Sequence, residues 1–121
     1  MAILHTCLNV SDAERSVEWY EQLGFEHSRG FESGDTTNLY VADEDGTELQ
    51  FSESEGVEPD TEGDLWDHLT VGIEDVDAAF EDIDHHGVVQ EPGDQPAASA
   101  RTAFVKDPDG HVVELIEPLE D

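Results

Sequence analysis

The chain contains two copies of one pattern, related by an offset of 63 residues that becomes 64 further along. Each copy carries a histidine, an aspartate of the kind that begins a helix, a glycine, an acidic turn and a polar residue near its end. The matching pairs are His5 and His68, Asp12 and Asp75, Gly24 and Gly87, Asp43 and Asp107, Gly46 and Gly110, and Gln50 and Glu114. A duplicated unit with ligand-type side chains at equivalent points predicts a functional site assembled from both copies.

The first copy reads as a strand, a helix and three further strands. Apolar residues and turn signals predict strands over 3–10, 25–31, 36–42 and 47–52. Ser11 and Asp12 are both helix-capping types, and they predict a helix over 12–23 that ends at Gly24. Residues 53–64 are rich in Gly, Pro and acid without periodicity, which indicates an exposed linker.

The second copy repeats that order of elements. The pattern predicts strands over 66–73, 88–90, 100–106 and 111–117, a helix over 76–86 with Gly87 as its C-cap, and a loop over 91–99. The predicted organisation is a first βαβββ module over 1–53, an acidic linker over 54–64 and a second module over 65–121. The predicted fold class is α+β, with the tandem modules forming a curved mixed sheet that shares one core, because sixty residues alone bury too little surface.

The charge of the chain is strongly negative, with 32 Asp and Glu against 4 Lys and Arg and a formal net charge of −28. Such a surface repels nucleic acid and anionic membranes, so neither is expected as a partner. The apolar pattern persists beneath the acid, which is typical of a salt-adapted folded protein rather than a disordered one. Neither a long apolar span nor a signal peptide is present in the sequence, and we expect a soluble, cytoplasmic protein.

The single cysteine and four of the six histidines are expected to have no catalytic role. One cysteine, Cys7, excludes an intramolecular disulfide framework and a cysteine-based zinc site, and we predict a small buried apolar residue there. Four histidines at helix ends, edges or turns are predicted to lie on the surface: His27, His85, His86 and His111.

Four polar residues remain as candidate metal ligands. His5 and His68 occupy the same position in the two copies, and Glu114 sits within an apolar strand where an unpaired carboxylate would be costly. With Gln50 they give two imidazoles, one carboxylate and one amide, a set that suits an octahedral divalent metal with two positions left for water or substrate. Glu48 lies on the same strand face as Gln50 and is an alternative to that weaker amide ligand.

Two segments also resemble a known family. The opening 5–12, His-Thr-Cys-Leu-Asn-Val-Ser-Asp, and the ending 104–117, which contains Asp-Pro-Asp-Gly before a Glu-Leu strand, are similar to bacterial glyoxalase I sequences. The whole chain therefore resembles the vicinal oxygen chelate superfamily, which includes glyoxalase I, bleomycin resistance proteins and extradiol dioxygenases.

The resemblance implies a metal-dependent enzyme of glyoxalase I type, acting on a hemithioacetal or a similar small oxygenated molecule. The four ligand positions would fall on His5, Gln50, His68 and Glu114, with Glu114 also the base that moves a proton between adjacent carbons. The metal would be Ni, Co, Zn, Mn or Fe, and a homodimer is expected. The chain differs from the bacterial pattern in having Gln50 where Glu is usual and Asn9 where a basic residue helps to hold glutathione.

Two other functions stay open at this point. Without Gln50, the set His5, His68 and Glu114 resembles the iron site of extradiol dioxygenases and the manganese site of fosfomycin-modifying transferases. A metal-free binding protein of the bleomycin resistance kind would use the same fold and an acidic groove, but it would have no need of these three residues.

Overall fold

The computed structural model of the protein describes residues 3–59 and 67–119. The chain divides into two compact units, Met1–Asp60 and Thr61–Asp121. Each unit contains one four-stranded mixed sheet and one α-helix. This architecture confirms the predicted α+β class and the βαβββ order, with a separate sheet in each unit. The predicted linker over 54–64 lies partly outside the described residues.

The first unit follows the predicted order closely. Its elements are β1 (His5–Asn9), α1 (Ala13–Glu21), β2 (Glu26–Ser33), β3 (Thr36–Ala42) and β4 (Glu48–Ser54). The strands lie in the order β1-β4-β3-β2, in which β1 is parallel to β4 and the other neighbours are antiparallel. The parallel pairing brings the first strand of the unit beside its last one.

The second unit repeats this topology. Its elements are β5 (Leu69–Gly72), α2 (Val76–Asp82), β6 (Val88–Gln95), a 3-10 turn (Pro96–Ala98), β7 (Ala100–Lys106) and β8 (Val112–Pro118). The strand order is β5-β8-β7-β6, again with one parallel pair, β5 and β8. Neither described helix is long and apolar enough to cross a membrane.

One face of each sheet is apolar and packs against the helix of its unit. Leu49 and Phe51 alternate with Glu48 and Gln50 along β4, so the apolar pair is buried and the polar pair shares the opposite face. In the second unit Val113 and Leu115 are buried in the same way on β8, and Glu114 lies between them on the other face. The buried apolar side chains include Leu8, Val10, Val17, Trp19, Tyr20, Val41, Leu49 and Phe51 in the first unit, and Val71, Val76, Ile83, Ala103, Val105, Val113 and Leu115 in the second.

The two helices begin in the same way, which confirms the repeat at atomic level. Asp12 Oδ1 accepts a hydrogen bond from the backbone N–H of Arg15 at 3.2 Å, and Asp75 Oδ1 accepts from Ala78 at 3.1 Å. A glutamate on the last strand of each unit also reaches its helix. These bonds are Ala13 N to Glu53 Oε1 and Val76 N to Glu117 Oε1, each at 2.8 Å. In each helix, the aspartate and the glutamate together bind backbone N–H groups of the first turn that have no partner within the helix.

The second half of the second unit differs from its prediction. The helix ends at Asp82, because Ile83 takes an extended conformation with φ −80° and ψ 150°, and Gly87 is therefore not its C-cap. The predicted loop over 91–99 is instead mostly strand, since β6 continues to Gln95. Pro92 is tolerated there because β6 is an edge strand, where a missing N–H costs no ladder bond. The predicted start of β5 at Trp66 lies outside the described residues.

Candidate functional site

Glu114 and His68 are brought together on the polar face of the second unit. The parallel register pairs Thr70 of β5 with Glu114 of β8, and His68 lies two residues before Thr70 on the same face. His68 Nε2 lies 3.0 Å from Glu114 Oε1, and the Thr70 hydroxyl donates to the same oxygen at 2.9 Å. Both principal side chains are mostly covered, with 29% of His68 and 16% of Glu114 exposed.

The other ring nitrogen of His68 faces a second carboxylate. His68 Nδ1 lies 2.6 Å from Asp67 Oδ1. The hydrogen bond to Asp67 is the main reason that the pKa of His68 rises above its ordinary value of 6.5; burial opposes this rise, and the charge of Glu114 adds to it. Because carboxylates only accept, a neutral imidazole that donates from Nδ1 to Asp67 turns a lone pair on Nε2 toward Glu114.

This arrangement fits a cation between His68 and Glu114. Two acceptor atoms 3.0 Å apart repel one another unless they share a proton or a positive ion. Two ligand atoms that lie about 2.1 Å from one ion at a right angle are themselves about 3 Å apart. An imidazole oriented by a carboxylate on its far nitrogen is also the usual setting of a metal-binding histidine. The pair therefore has the chemistry and spacing of two neighbouring metal ligands.

The first unit presents the equivalent polar face with different contacts. His5 of β1 lies opposite Glu48 of β4, and Cys7 lies opposite Gln50. The Gln50 amide nitrogen donates to Asn38 Oδ1 at 2.9 Å. That bond uses the nitrogen and leaves the amide oxygen as the atom that can coordinate a metal.

Glu48 is already neutralised by an arginine. Arg29 donates to both of its carboxylate oxygens at 3.1 and 3.2 Å, and the Ser28 hydroxyl donates at 2.8 Å. The bond to Arg29 holds the pKa of Glu48 below its ordinary value of 4.5. The Arg29 guanidinium also lies 4.0 Å from the centre of the Tyr40 ring. These contacts favour Gln50 over Glu48 as the available oxygen ligand of this unit.

The two histidines have equivalent aromatic neighbours. The His5 and Tyr40 rings meet edge to face with centroids 5.7 Å apart, and the His68 and Phe104 rings do so at 5.4 Å. Tyr40 lies opposite Gln50 in its sheet, and Phe104 lies opposite Glu114 in the other. The repeat thus gives each unit one histidine, one amide or carboxylate side chain and one aromatic ring at equivalent positions.

Two of the four predicted ligands lie in each unit. Over residues 3–59 and 67–119, no group of three or more His, Cys, Asp and Glu side chains is arranged to hold a metal ion. His68 and Glu114 are in direct contact, whereas His5 on β1 and Gln50 on β4 share the polar face of the sheet in the first unit. The residues that the sequence did not single out are Thr70 on β5, which donates to Glu114, and Asp67 just before β5, which contacts the other side of the His68 ring.

Two predictions about individual residues are wrong. Cys7 is exposed rather than buried, because it lies on the polar face beside His5 and not on the face that packs against α1. His111 is buried rather than on the surface, with only 8% exposed. Its Nδ1 lies 2.9 Å from Asp107 Oδ2, and Asp107 is completely buried within the Asp-Pro-Asp-Gly turn. The spacing of four residues across a tight turn is the sequence signal that could have indicated this pair.

Comparison with known proteins identifies relatives over nearly the whole chain. Residues 2–115 match the family described as the glyoxalase/bleomycin resistance protein/dioxygenase superfamily. A lactoylglutathione lyase from Haemophilus influenzae is 34% identical over 97% of this chain and 93% of its own length.

Solved structures give the same grouping. Glyoxalase I from Zea mays superposes with a TM-score of 0.83 at 26% identity, covering 97% of this chain and 47% of the maize chain. The protein thus spans about half the length of that relative. The antibiotic binding protein TnmS3 from a Streptomyces species superposes with a TM-score of 0.76 at 26% identity, covering 98% of this chain and 96% of its own.

Proposed function

The chain belongs to the glyoxalase/bleomycin resistance protein/dioxygenase superfamily and is a glyoxalase I-like lyase, and on that premise we propose that it transfers a proton between adjacent carbons of a hemithioacetal. The observation that carries the proposal is the contact between His68 Nε2 and Glu114 Oε1, with Asp67 on the opposite ring nitrogen. That contact supports the proposal because the two side chains could serve as metal ligands and the carboxylate could serve as the base.

We propose that His5, Gln50, His68 and Glu114 hold one divalent metal ion, which would be Ni, Co, Zn, Mn or Fe. When bound, the ion would supply Lewis-acid stabilisation of the negative charge that develops on the substrate oxygens. Two imidazoles, an amide oxygen and a carboxylate make a mixed nitrogen and oxygen set that suits these metals. The set carries a single negative charge, because Gln50 is neutral and Glu48 is bound to Arg29.

Glu114 is the proposed catalytic base. Its Oε1 accepts a hydrogen bond from Thr70 and lies 3.0 Å from His68 Nε2, whereas its Oε2 accepts no hydrogen bond from the part of the chain that the structure describes. The carboxylate would remove the proton from the carbon that bears the hydroxyl and sulfur, breaking one C–H bond. It would then return that proton to the neighbouring carbonyl carbon, forming another C–H bond. The proton of the original hydroxyl group would pass to the former carbonyl oxygen, which becomes the new hydroxyl group, and the first carbon would become the thioester carbonyl. The atoms balance without an oxidant or a second substrate.

Metal content is the first test of this proposal. The protein would be purified in molar salt and analysed by plasma mass spectrometry together with His5→Ala and His68→Ala. His27→Ala is the matched control, because His27 is exposed on β2. Near-stoichiometric metal that is lost in the first two variants and retained in the control would support the metal site.

Turnover is the second test. Wild-type protein loaded with nickel or cobalt would be given the hemithioacetal of methylglyoxal and glutathione, and thioester formation would be followed. If the protein instead binds iron and consumes dioxygen when given a catechol, the hypothesis of a dioxygenase site at His5, His68 and Glu114 would be favoured. Failure to take up any metal would contradict the proposed function.

A binding protein is the second candidate, and the likeness to TnmS3 favours it specifically. Such a protein would bind a small organic molecule in the absence of metal. Calorimetry of metal-free protein with candidate ligands would then show binding that His68→Ala leaves unchanged.

We also propose a homodimer. Half-domains of about sixty residues bury little surface, and association adds to the buried area. Sedimentation velocity in molar salt would show a species of twice the chain mass, whereas a monomer across the accessible concentration range would contradict the proposal.

A further inference from the structure

Asp67 lies at a position of the repeat where the fold does not require a carboxylate. The equivalent residue of the first copy is Leu4, which is exposed and precedes His5 as Asp67 precedes His68. The fold therefore forms with an apolar side chain at this point in one unit and an acidic one in the other. This difference between Leu4 and Asp67 indicates that Asp67 has a role other than formation of the βαβββ unit.

The contact that Asp67 makes is short and directional. Its Oδ1 lies 2.6 Å from His68 Nδ1, slightly shorter than is usual even for a charge-assisted hydrogen bond. The Asp67 side chain is otherwise 95% exposed, so water and salt screen a simple charge attraction at this point. The geometry of the hydrogen bond is not screened in this way, and it determines which ring nitrogen of His68 carries the proton.

The proton on Nδ1 has a consequence at the other side of the ring. Glu114 Oε1 already accepts from Thr70 at 2.9 Å, and it lies 3.0 Å from His68 Nε2. Without Asp67, the neutral imidazole would gain most by donating from Nε2 to Glu114, which would block the nitrogen that must bind metal. With Asp67, the Nε2 lone pair stays available.

We propose that Asp67 is a positioning residue that fixes the Nδ1–H tautomer of His68 and thereby keeps Nε2 free to coordinate the metal. The proposal rests on the proposed function for the metal, but the tautomer can be observed without metal or substrate. Since His5 has a leucine at the equivalent place, the two imidazoles are unequal ligands, and His68 is the stronger one.

The variant that tests this is Asp67→Leu, which gives the second copy the residue of the first. Asp67→Asn keeps an acceptor oxygen without the charge, and Asp82→Asn removes a carboxylate from α2 as the matched control. Nitrogen-15 NMR of the full chain after chelator treatment, at a pH where His68 is neutral, reports its tautomer. We expect Nδ1–H in the wild type, in Asp67→Asn and in the control, and Nε2–H in Asp67→Leu.

Metal affinity gives an independent readout. In a competition titration with a coloured chelator and Zn²⁺, Asp67→Leu should bind about tenfold more weakly than wild type, with Asp67→Asn between them. The same tautomer in wild type and Asp67→Leu would overturn the proposal, as would unchanged Zn²⁺ affinity in a variant whose tautomer had changed. If the wild type binds no Zn²⁺, the proposed metal site fails, whereas the tautomer still decides whether Asp67 orients His68.

Discussion

His68 Nε2 and Glu114 Oε1 lie 3.0 Å apart although 46 residues separate them along the chain. The parallel pairing of β5 with β8 creates this contact, because it sets Thr70 directly beside Glu114. Glu114 Oε1 accepts a hydrogen bond from the Thr70 hydroxyl and faces His68, so this carboxylate oxygen is fixed. The other oxygen, Oε2, is available for proton transfer. The pairing of β5 with β8 thus positions both His68, a proposed metal ligand, and Glu114, the proposed base.

Replacing Glu114 by glutamine should lower turnover by orders of magnitude without unfolding the protein. The amide oxygen of Glu114→Gln can still accept from Thr70, but the side chain can no longer take up a proton at neutral pH. We expect a loss of about 10²- to 10⁴-fold in kcat, the range for removal of a general base. Initial rates with the methylglyoxal hemithioacetal, and circular dichroism in molar salt, would measure both properties. Glu81→Gln on α2 is the control, and an active Glu114→Gln would exclude Glu114 as the base.

Gln50 and Glu48 should differ in their effect on metal binding. Gln50→Ala removes the amide oxygen that the bond to Asn38 does not use. It should weaken Zn²⁺ binding in the chelator competition by at least about tenfold, since loss of even an outer-shell partner of a metal ligand usually costs that much. Glu48→Gln should leave the affinity nearly unchanged, because Arg29 and Ser28 already occupy that carboxylate. The opposite order of effects would show that Glu48, not Gln50, is the ligand.

The βαβββ fold could be predicted from the sequence because its signals are local and occur twice. Asp12 and Asp75 are helix-capping residues in both copies, and the structure uses them as caps. β3 and β7 have the predicted bounds, since each combines apolar alternation with flanking turn residues. The end of α2 was missed because Ile83 looks helical by its spacing, whereas its backbone is extended to begin the passage toward β6.

The candidate site was predicted only at the level of residue types. Matching positions identified His5, His68 and Glu114, but the contacts around them depend on pairing between distant strands. Nothing local to residue 67 distinguishes Asp67 from the many solvated carboxylates of a chain with 32 acidic residues. The burial of His111 was missed although its spacing of four residues from Asp107 is visible in the sequence, because that spacing does not reveal that Asp107 is itself buried.

The two equivalent turns should differ in what their aspartates contribute to stability. Asp43 accepts from the N–H groups of Asp45 and Thr47, and Asp107 accepts from those of Asp109 and His111. Asp107 is fully buried and also contacts the His111 ring, so Asp107→Ala leaves several buried donors unsatisfied.

We expect Asp107→Ala to lower the free energy of unfolding by about 3 kcal/mol, against about 1 kcal/mol for Asp43→Ala, whose donors can bind water. Urea unfolding of both variants in the same salt would measure the difference. Equal costs would show that burial of the second turn adds nothing to its stability.

Asp77 should make the stability of the second unit depend on pH on the acid side. Two hydrogen bonds from Arg101 hold the pKa of Asp77 below its ordinary value of 3.8. A lowered folded-state pKa means that the stabilisation is fully present above about pH 3.8 and is lost as the pH falls through the lower value.

The measurement is the difference in unfolding free energy between wild type and Asp77→Asn from pH 7 to pH 2. We expect the difference to be constant above pH 5 and to shrink below pH 3.8, with Asp82→Asn as the control for loss of charge. A difference that stays constant to pH 2 would show that the bonds to Arg101 make no contribution through the charge of Asp77.

Low salt should destabilise the protein because of its net charge of −28. Charges about 10 Å apart interact at 0.1 M salt, whereas at 1 M the screening length falls to about 3 Å. Glu18 and Glu21 illustrate the repulsion: both are exposed on α1, three residues apart, and the last turn of that helix has no basic residue to offset them. We expect the melting temperature to rise steadily with KCl between 0.2 M and 3 M.

The double variant Glu18→Gln/Glu21→Gln separates this electrostatic effect from a general effect of salt on apolar burial. Removing one like-charge pair should stabilise α1 by about 0.2 to 0.5 kcal/mol at low salt. The gain should disappear in 3 M KCl, where the wild-type repulsion is already screened, so the melting curves of the two proteins should converge. If the double variant is stabilised equally at all salt concentrations, helix propensity is responsible. A wild-type melting temperature that does not change with KCl would contradict the predicted salt adaptation.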